Sequence, residues 1–116
     1  MEELISRVFA ARDIAHREHL RTKSYEQHVA LGAFYEDVIE AADAAAEVYQ
    51  GMFGIMDIPE NPAPKVKDVT EYLRDEAEWI ESNREIISGG ANSVGNLVDN
   101  ITAVYLKALY KLENLK

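Results

Sequence analysis

Apolar side chains recur every three to four positions through four stretches of the chain, and nowhere alternate as a half-buried strand would. Leu4, Ile5, Val8, Phe9, Ala15, His16 and His19 fall near one stripe of a predicted helix A, about residues 2–22. Helix B is predicted from Ser24, whose hydroxyl suits an N-cap, to about Gln50, with Gly51 as its stop. Its inward line reads His28, Leu31, Tyr35, Val38, Ile39, Ala42, Ala46 and Tyr49. Helix C is predicted after Pro64 and ends before Gly89-Gly90, burying Val66, Val69, Leu73, Ala77 and Ile80. Asn92-Ser93 reads as the cap of helix D, which runs to about Leu115 on Val94, Leu97, Val98, Ile101, Tyr105, Leu109 and Leu112.

The connections carry a topology. The A–B and C–D turns are short, so each pair is predicted to be an antiparallel hairpin. Pro59, Pro62 and Pro64 all fall in the longer B–C link. A helix of about 26 residues is roughly 39 Å long, and about fourteen extended residues reach roughly 46–50 Å. The link is therefore able to return along the whole bundle. The pattern predicts one all-α domain over residues 1–116, a four-helix bundle with a long B–C crossover as in ferritin-like folds. An up-down-up-down bundle is the alternative topology.

Composition narrows the chemistry. Without cysteine there is neither a disulfide framework nor a thiolate ligand or nucleophile. No apolar run approaches the roughly 20 residues of a membrane span, and the start Met1-Glu2-Glu3-Leu4 lacks the basic residues of a signal peptide. A cytoplasmic protein with no membrane partner is expected. The net charge of −9 argues against nucleic-acid binding, which needs a basic surface. Arg17, Arg21 and Lys23 then read as a solvated helix end. No strand-to-helix elbow carries a serine, and no glycine-rich loop with its lysine is present.

His16, His19 and His28 lie on either side of the A–B turn. With the turn near residues 22–23, His16 and His28 are predicted at one height and pointing inward, with His19 at the edge of the stripe. Imidazoles at one level between two helices are how a bundle builds a metal site; hydrogen-bonded core histidines are the plainer reading. Asp43 and Glu47 form an i, i+4 pair further along helix B among short alanines, and read either as ligands or as a solvated acidic rim. His28 and Asp43 are separated by roughly 22 Å along one helix and cannot share an ion within one chain. A two-fold copy with its helix B antiparallel would bring His16 and His28 opposite Asp43 and Glu47, so the metal reading implies a homodimer.

The stretch His16–Glu47, HREHLRTKSYEQHVALGAFYEDVIEAADAAAE, resembles the ferroxidase segment of the Dps-type miniferritins. That family has one histidine late in its first helix, a second at the start of the next, and an Asp-x-x-x-Glu pair in the second half of that helix. His16, His28, Asp43 and Glu47 match in type and spacing, as do Tyr25 and Phe34-Tyr35 around the second histidine. Lys107 and Tyr110 loosely match the last helix. The chain is also similar to small Dps-like proteins of unknown function encoded by tailed phages. Gly32 stands where the family places a further aspartate, with Glu36 or His19 as substitutes. The helix between B and C and the basic tail of some members are absent from this sequence.

The resemblance implies Fe(II) oxidation or storage at a dimer interface, with a larger cage built on the dimer; manganese or zinc would suit the same donors. Tyr35 and Trp79 would quench stray oxidising equivalents or simply pack the core. Two rival readings stand beside it. One is a metal-free helical interaction or assembly protein of phage type. The other is an all-α Mg²⁺-dependent nucleotide pyrophosphohydrolase using Glu40-x-x-Asp43 and Glu78-x-x-Glu81.

Overall fold

A computed structural model describes residues 1–115 as five helices without a strand: α1 Glu2–Arg21, α2 Tyr25–Phe53, α3 Val69–Ser82, α4 Arg84–Ser88 and α5 Asn92–Asn114. Four stretches were predicted, and the difference lies in the third. At Asn83 the side-chain amide donates to the Trp79 carbonyl at 2.8 Å, and the backbone N–H turns back to Trp79 and Ile80. A side chain competing for helix carbonyls interrupts the helix there, and α4 follows as one short turn ending at Gly89 with φ +64°.

Local chemistry sets the other boundaries. Ser24 caps α2 as expected, its hydroxyl accepting from the Gln27 amide at 3.2 Å. The helix does not stop at Gly51 but runs on to Phe53 and ends at Gly54, whose φ of +101° only glycine adopts freely. Tyr49 and Phe53 pack at 4.8 Å between ring centroids, and the Phe53 ring lies close over Gly89. Those contacts offset the roughly 1 kcal/mol cost of a glycine inside a helix. Helix α3 begins after Pro64 as expected but leaves Val66 outside, starting at Val69, because the Asp68 carboxylate caps it by accepting from the Glu71 amide at 3.1 Å. At the start of α5 the Ala91 carbonyl accepts the first bond, so Asn92 is already helical.

Helix α2 packs between α1 and α5, and α3 also packs between α1 and α5; α2 and α3 share no extended contact. Arg7 of α1 meets Glu76 of α3, and Arg74 near the start of α3 meets Glu113 at the end of α5. From α2 the chain returns along α1. The Ser6 hydroxyl donates to the Pro59 carbonyl at 2.7 Å, and residues 63–67 flank a groove against α1 from Asp13 to Arg21. This strap leaves α3 running in the same sense as α2. Leu4, Val8, Leu31, Phe34, Val38, Leu73, Ile80, Val94, Val98, Ile101, Tyr105 and Leu109 are buried in one core. Phe9, expected in the stripe of α1, is 45% exposed. None of the described helices is long and apolar enough to cross a membrane.

Candidate functional site

The hairpin between α1 and α2 assembles the histidines. Thr22 ends α1 with its amide bonded to the Glu18 carbonyl at 2.8 Å, and its hydroxyl bonds the Gln27 side chain. This short turn sets His19 beside His28. Each imidazole donates from Nδ1 to the other residue's backbone carbonyl, His19 to His28 at 2.6 Å and His28 to His19 at 2.7 Å. The rings stack with centroids 3.7 Å apart and planes 16° from parallel. A carbonyl oxygen only accepts, so both Nδ1 atoms carry hydrogen, and Nε2 is the nitrogen left to face a ligand. A backbone carbonyl holding the second nitrogen is also how metal-binding histidines are commonly oriented.

His16 sits one turn down α1, stacked on Tyr35 at 4.2 Å and 14°. Its ring is 6.2 Å from that of His19, and Tyr35 meets His19 edge-on at 5.3 Å. The Arg12 guanidinium lies 6.0 Å from the centre of the Tyr35 ring. All three histidines are partly buried. The expected pairing of His16 with His28 is thus replaced by His19 with His28. The reason is Gly32: a Cβ there would stand 3.0 Å from His19 Cε1 and 3.2 Å from its Nδ1. The imidazole of His19 fills the space above the position where the resemblance looked for an aspartate.

The acids are not brought to this cluster. Glu36, Asp43 and Glu47 are exposed on the outer side of α2, with Glu40 beside them. Among the described residues no three His, Asp or Glu side chains of one chain converge as metal ligands would. Glu40 and Asp43 on α2, and Glu78 and Glu81 on α3, are all exposed, on helices without extended contact, so they do not face one another as a Mg²⁺ site requires.

A second polar group lies between α1, α3 and α5. Arg7 binds the Glu76 carboxylate through Nε at 2.9 Å and Nη2 at 3.3 Å, reaches Glu3 at 2.9 Å, and lies 3.9 Å over Trp79. Burial, the largest single influence, lowers the Arg7 pKa, but the hydrogen bonds and charges of Glu76 and Glu3 together outweigh it and the net shift is upward. Burial, followed by the charge of Glu76, pushes the Tyr72 phenol up. The fully buried Tyr105 phenol is pushed up for the same reasons, and its oxygen has no hydrogen-bond partner among the described residues. The sequence carried one signal of this group: Glu76 falls on the apolar face of α3 between Leu73 and Ile80. Trp79 is covered by Arg7, and Tyr35 is committed to His16.

The class is therefore an all-helical bundle whose first hairpin carries a stacked imidazole cluster. Residues 19–112 match a family described as a family of unknown function (DUF5856), and the chain belongs to that family. The match opens at His19 and includes His28, Gly32, Asp43 and Glu47. No curated protein and no solved structure matches the chain.

Proposed function

We propose that this protein binds a transition metal, with Fe(II) as the favoured ion, at a site completed by two copies of the chain in a ferritin-like arrangement. The observation that carries the reading is the reciprocal bonding of His19 and His28, which holds two Nε2 atoms in fixed orientation at a partly open surface. His16 adds a third imidazole one turn away. Support for the ferritin-like topology comes from the parallel sense of α2 and α3 and from the strap that returns along α1.

One chain does not complete the site, since Asp43 and Glu47 lie in the second half of α2, away from the histidines at its start. A two-fold contact through the α1–α2 face would set the histidine end of one copy against Asp43 and Glu47 of the other, with Glu36 near the axis. Imidazole and carboxylate donors without sulfur suit iron, manganese or zinc. Bound iron would supply one-electron chemistry toward an oxidant, and the chain's own part is to hold and orient the ion. Cytoplasmic residence and assembly beyond the dimer belong to the same proposal.

The test is to add Fe(II) anaerobically to apo-protein, then measure retained metal and molecular mass by sedimentation. The expected result is a dimer retaining one metal ion per chain, lost in both His28→Ala and Asp43→Ala. Asp43 is exposed, so its variant keeps the fold and is the decisive one. A monomer retaining no metal would overturn the reading. That result would favour the second reading, a metal-free helical interaction protein, in which the paired imidazoles simply fasten the hairpin.

A further inference from the structure

The strap and the last turns of α1 enclose a groove of about 1090 Å³ that the metal reading does not use. Arg17, Arg21, Lys65 and Lys67 line it together with Asp13 and Glu18. Four cations against two acids leave the groove at +2, so the remainder of this −9 chain carries −11. The other substantial cavities each have more acidic than basic lining residues. Two of the groove's cations are engaged, Arg17 with Asp13 at 2.9 Å and Arg21 with Glu18 at 2.5 Å. Among the described residues, Lys65 and Lys67 meet no carboxylate.

Two features say what shape of ligand would fit. Asn61 and Ala63 precede prolines and are held extended by sterics. From Glu60 to Lys67 no backbone group bonds to another backbone group among the described residues, so the strap offers free amides and carbonyls. Apolar surface lies beside the charges: Leu20 is 72% exposed on the α1 rim, and Pro64 and Val66 form part of the opposite wall. The rim from Asp13 to Arg21 is roughly 12 Å long, which matches about four extended residues.

We propose that this groove docks an extended acidic peptide bearing apolar side chains, by backbone pairing to the strap, carboxylate contacts to Lys65 and Lys67, and apolar contact with Leu20 and Val66. Recognition through a free extended edge with side-chain pockets is an established mode for peptides. A long polyanion is disfavoured, because it would reach beyond the groove into the −11 of the remaining surface within a Debye length of about 8–10 Å.

The experiment is fluorescence anisotropy of a labelled heptapeptide of alternating Glu and Leu against the full chain, at low and at 300 mM salt. Saturable binding is expected, weakened at least tenfold by salt and at least tenfold by Lys65→Glu with Lys67→Glu, and unchanged by Lys107→Glu on α5. Both lysines are exposed and lie outside the helices, so circular dichroism of the double variant should match wild type. Equal binding by the double variant, equal binding of a Lys-Leu heptapeptide, or tighter binding of a twelve-nucleotide single strand would each overturn the proposal.

Discussion

Tyr105→Phe removes a single oxygen from the interior and leaves the ring in place. The ring packs edge-on against Phe34 at 4.9 Å and 74°, a contact that phenylalanine keeps. The hydroxyl is fully buried and has no partner among the described residues, so its loss relieves a desolvation penalty of about 1–3 kcal/mol. The vacated space is smaller than a methyl group and takes back a few tenths of a kcal/mol. A net gain of about 1 kcal/mol at pH 7 is expected, near 4 °C in Tm for a domain of this size. The alkaline side gives an independent reading. Below about pH 10 the phenol is neutral in both states. Above it the unfolded chain loses that proton while folded Tyr105, with its pKa raised by burial, keeps it. The unfolded state then binds fewer protons, so stability falls as pH rises, by up to about 1.4 kcal/mol per pH unit for one group. Tyr105→Phe should therefore show a shallower decline above pH 10, with Tyr72 still contributing its own share. Urea unfolding at pH 7 and pH 10.5 measures both effects. A variant destabilised by 1 kcal/mol or more at pH 7, with an unchanged alkaline slope, would refute the reasoning.

Two further substitutions probe the other contacts. Arg7→Ala strips the guanidinium from Glu76, whose side chain is only 11% exposed; a cost of about 2–4 kcal/mol is expected, scaled from the 3–5 of fully buried pairs. Arg7→Met combined with Glu76→Leu should recover most of that loss in urea unfolding, whereas a pair that acts through charge alone would not recover. Gly32→Ala places a methyl 3.0 Å from His19 Cε1, so the imidazole must shift. Alanine regains roughly 1 kcal/mol over glycine inside a helix, and the crowding of His19 offsets it, so a net change below about 1 kcal/mol is expected together with displaced ¹H–¹⁵N signals of His19 and His28; unchanged histidine signals would contradict the packing.

Periodicity made the long helices legible, since a three-to-four repeat of apolar residues needs no neighbour to interpret. Their ends were less so. Gly51 is as good a stop signal as Gly54, and what carries α2 past it is the docking of Phe53 on Gly89, a contact across 36 positions of sequence. Val66 after Pro64 has the look of a first helical turn, yet the Asp68 carboxylate captures the Glu71 amide and starts α3 later. The residue types of the hairpin cluster were legible too, but not its contacts. Ring counting along helices favoured His16 opposite His28, whereas the missing Cβ of Gly32 admits His19 instead. Glu76 shows the opposite case: its inward position could be read from the pattern, but its partner Arg7 is 69 positions away.

On the proposed pairing, metal and dimer belong to one equilibrium rather than two. The exposed line of Glu36, Glu40, Asp43 and Glu47 on α2 puts four acids on the face that would meet its copy. An antiparallel arrangement that sets His28 level with Asp43 and Glu47 brings the two-fold axis across α2 near Glu36, so like charges approach there. Without a cation this repulsion opposes association, and the imidazoles alone offer little to offset it. A divalent ion shared by Nε2 atoms of one copy and carboxylates of the other favours only the paired state. It stabilises that state by RT ln(1 + [metal]/Kd). Acids spaced this way would weaken any metal-free two-fold contact through this face, so the same residues that complete the site would also make pairing depend on its occupancy.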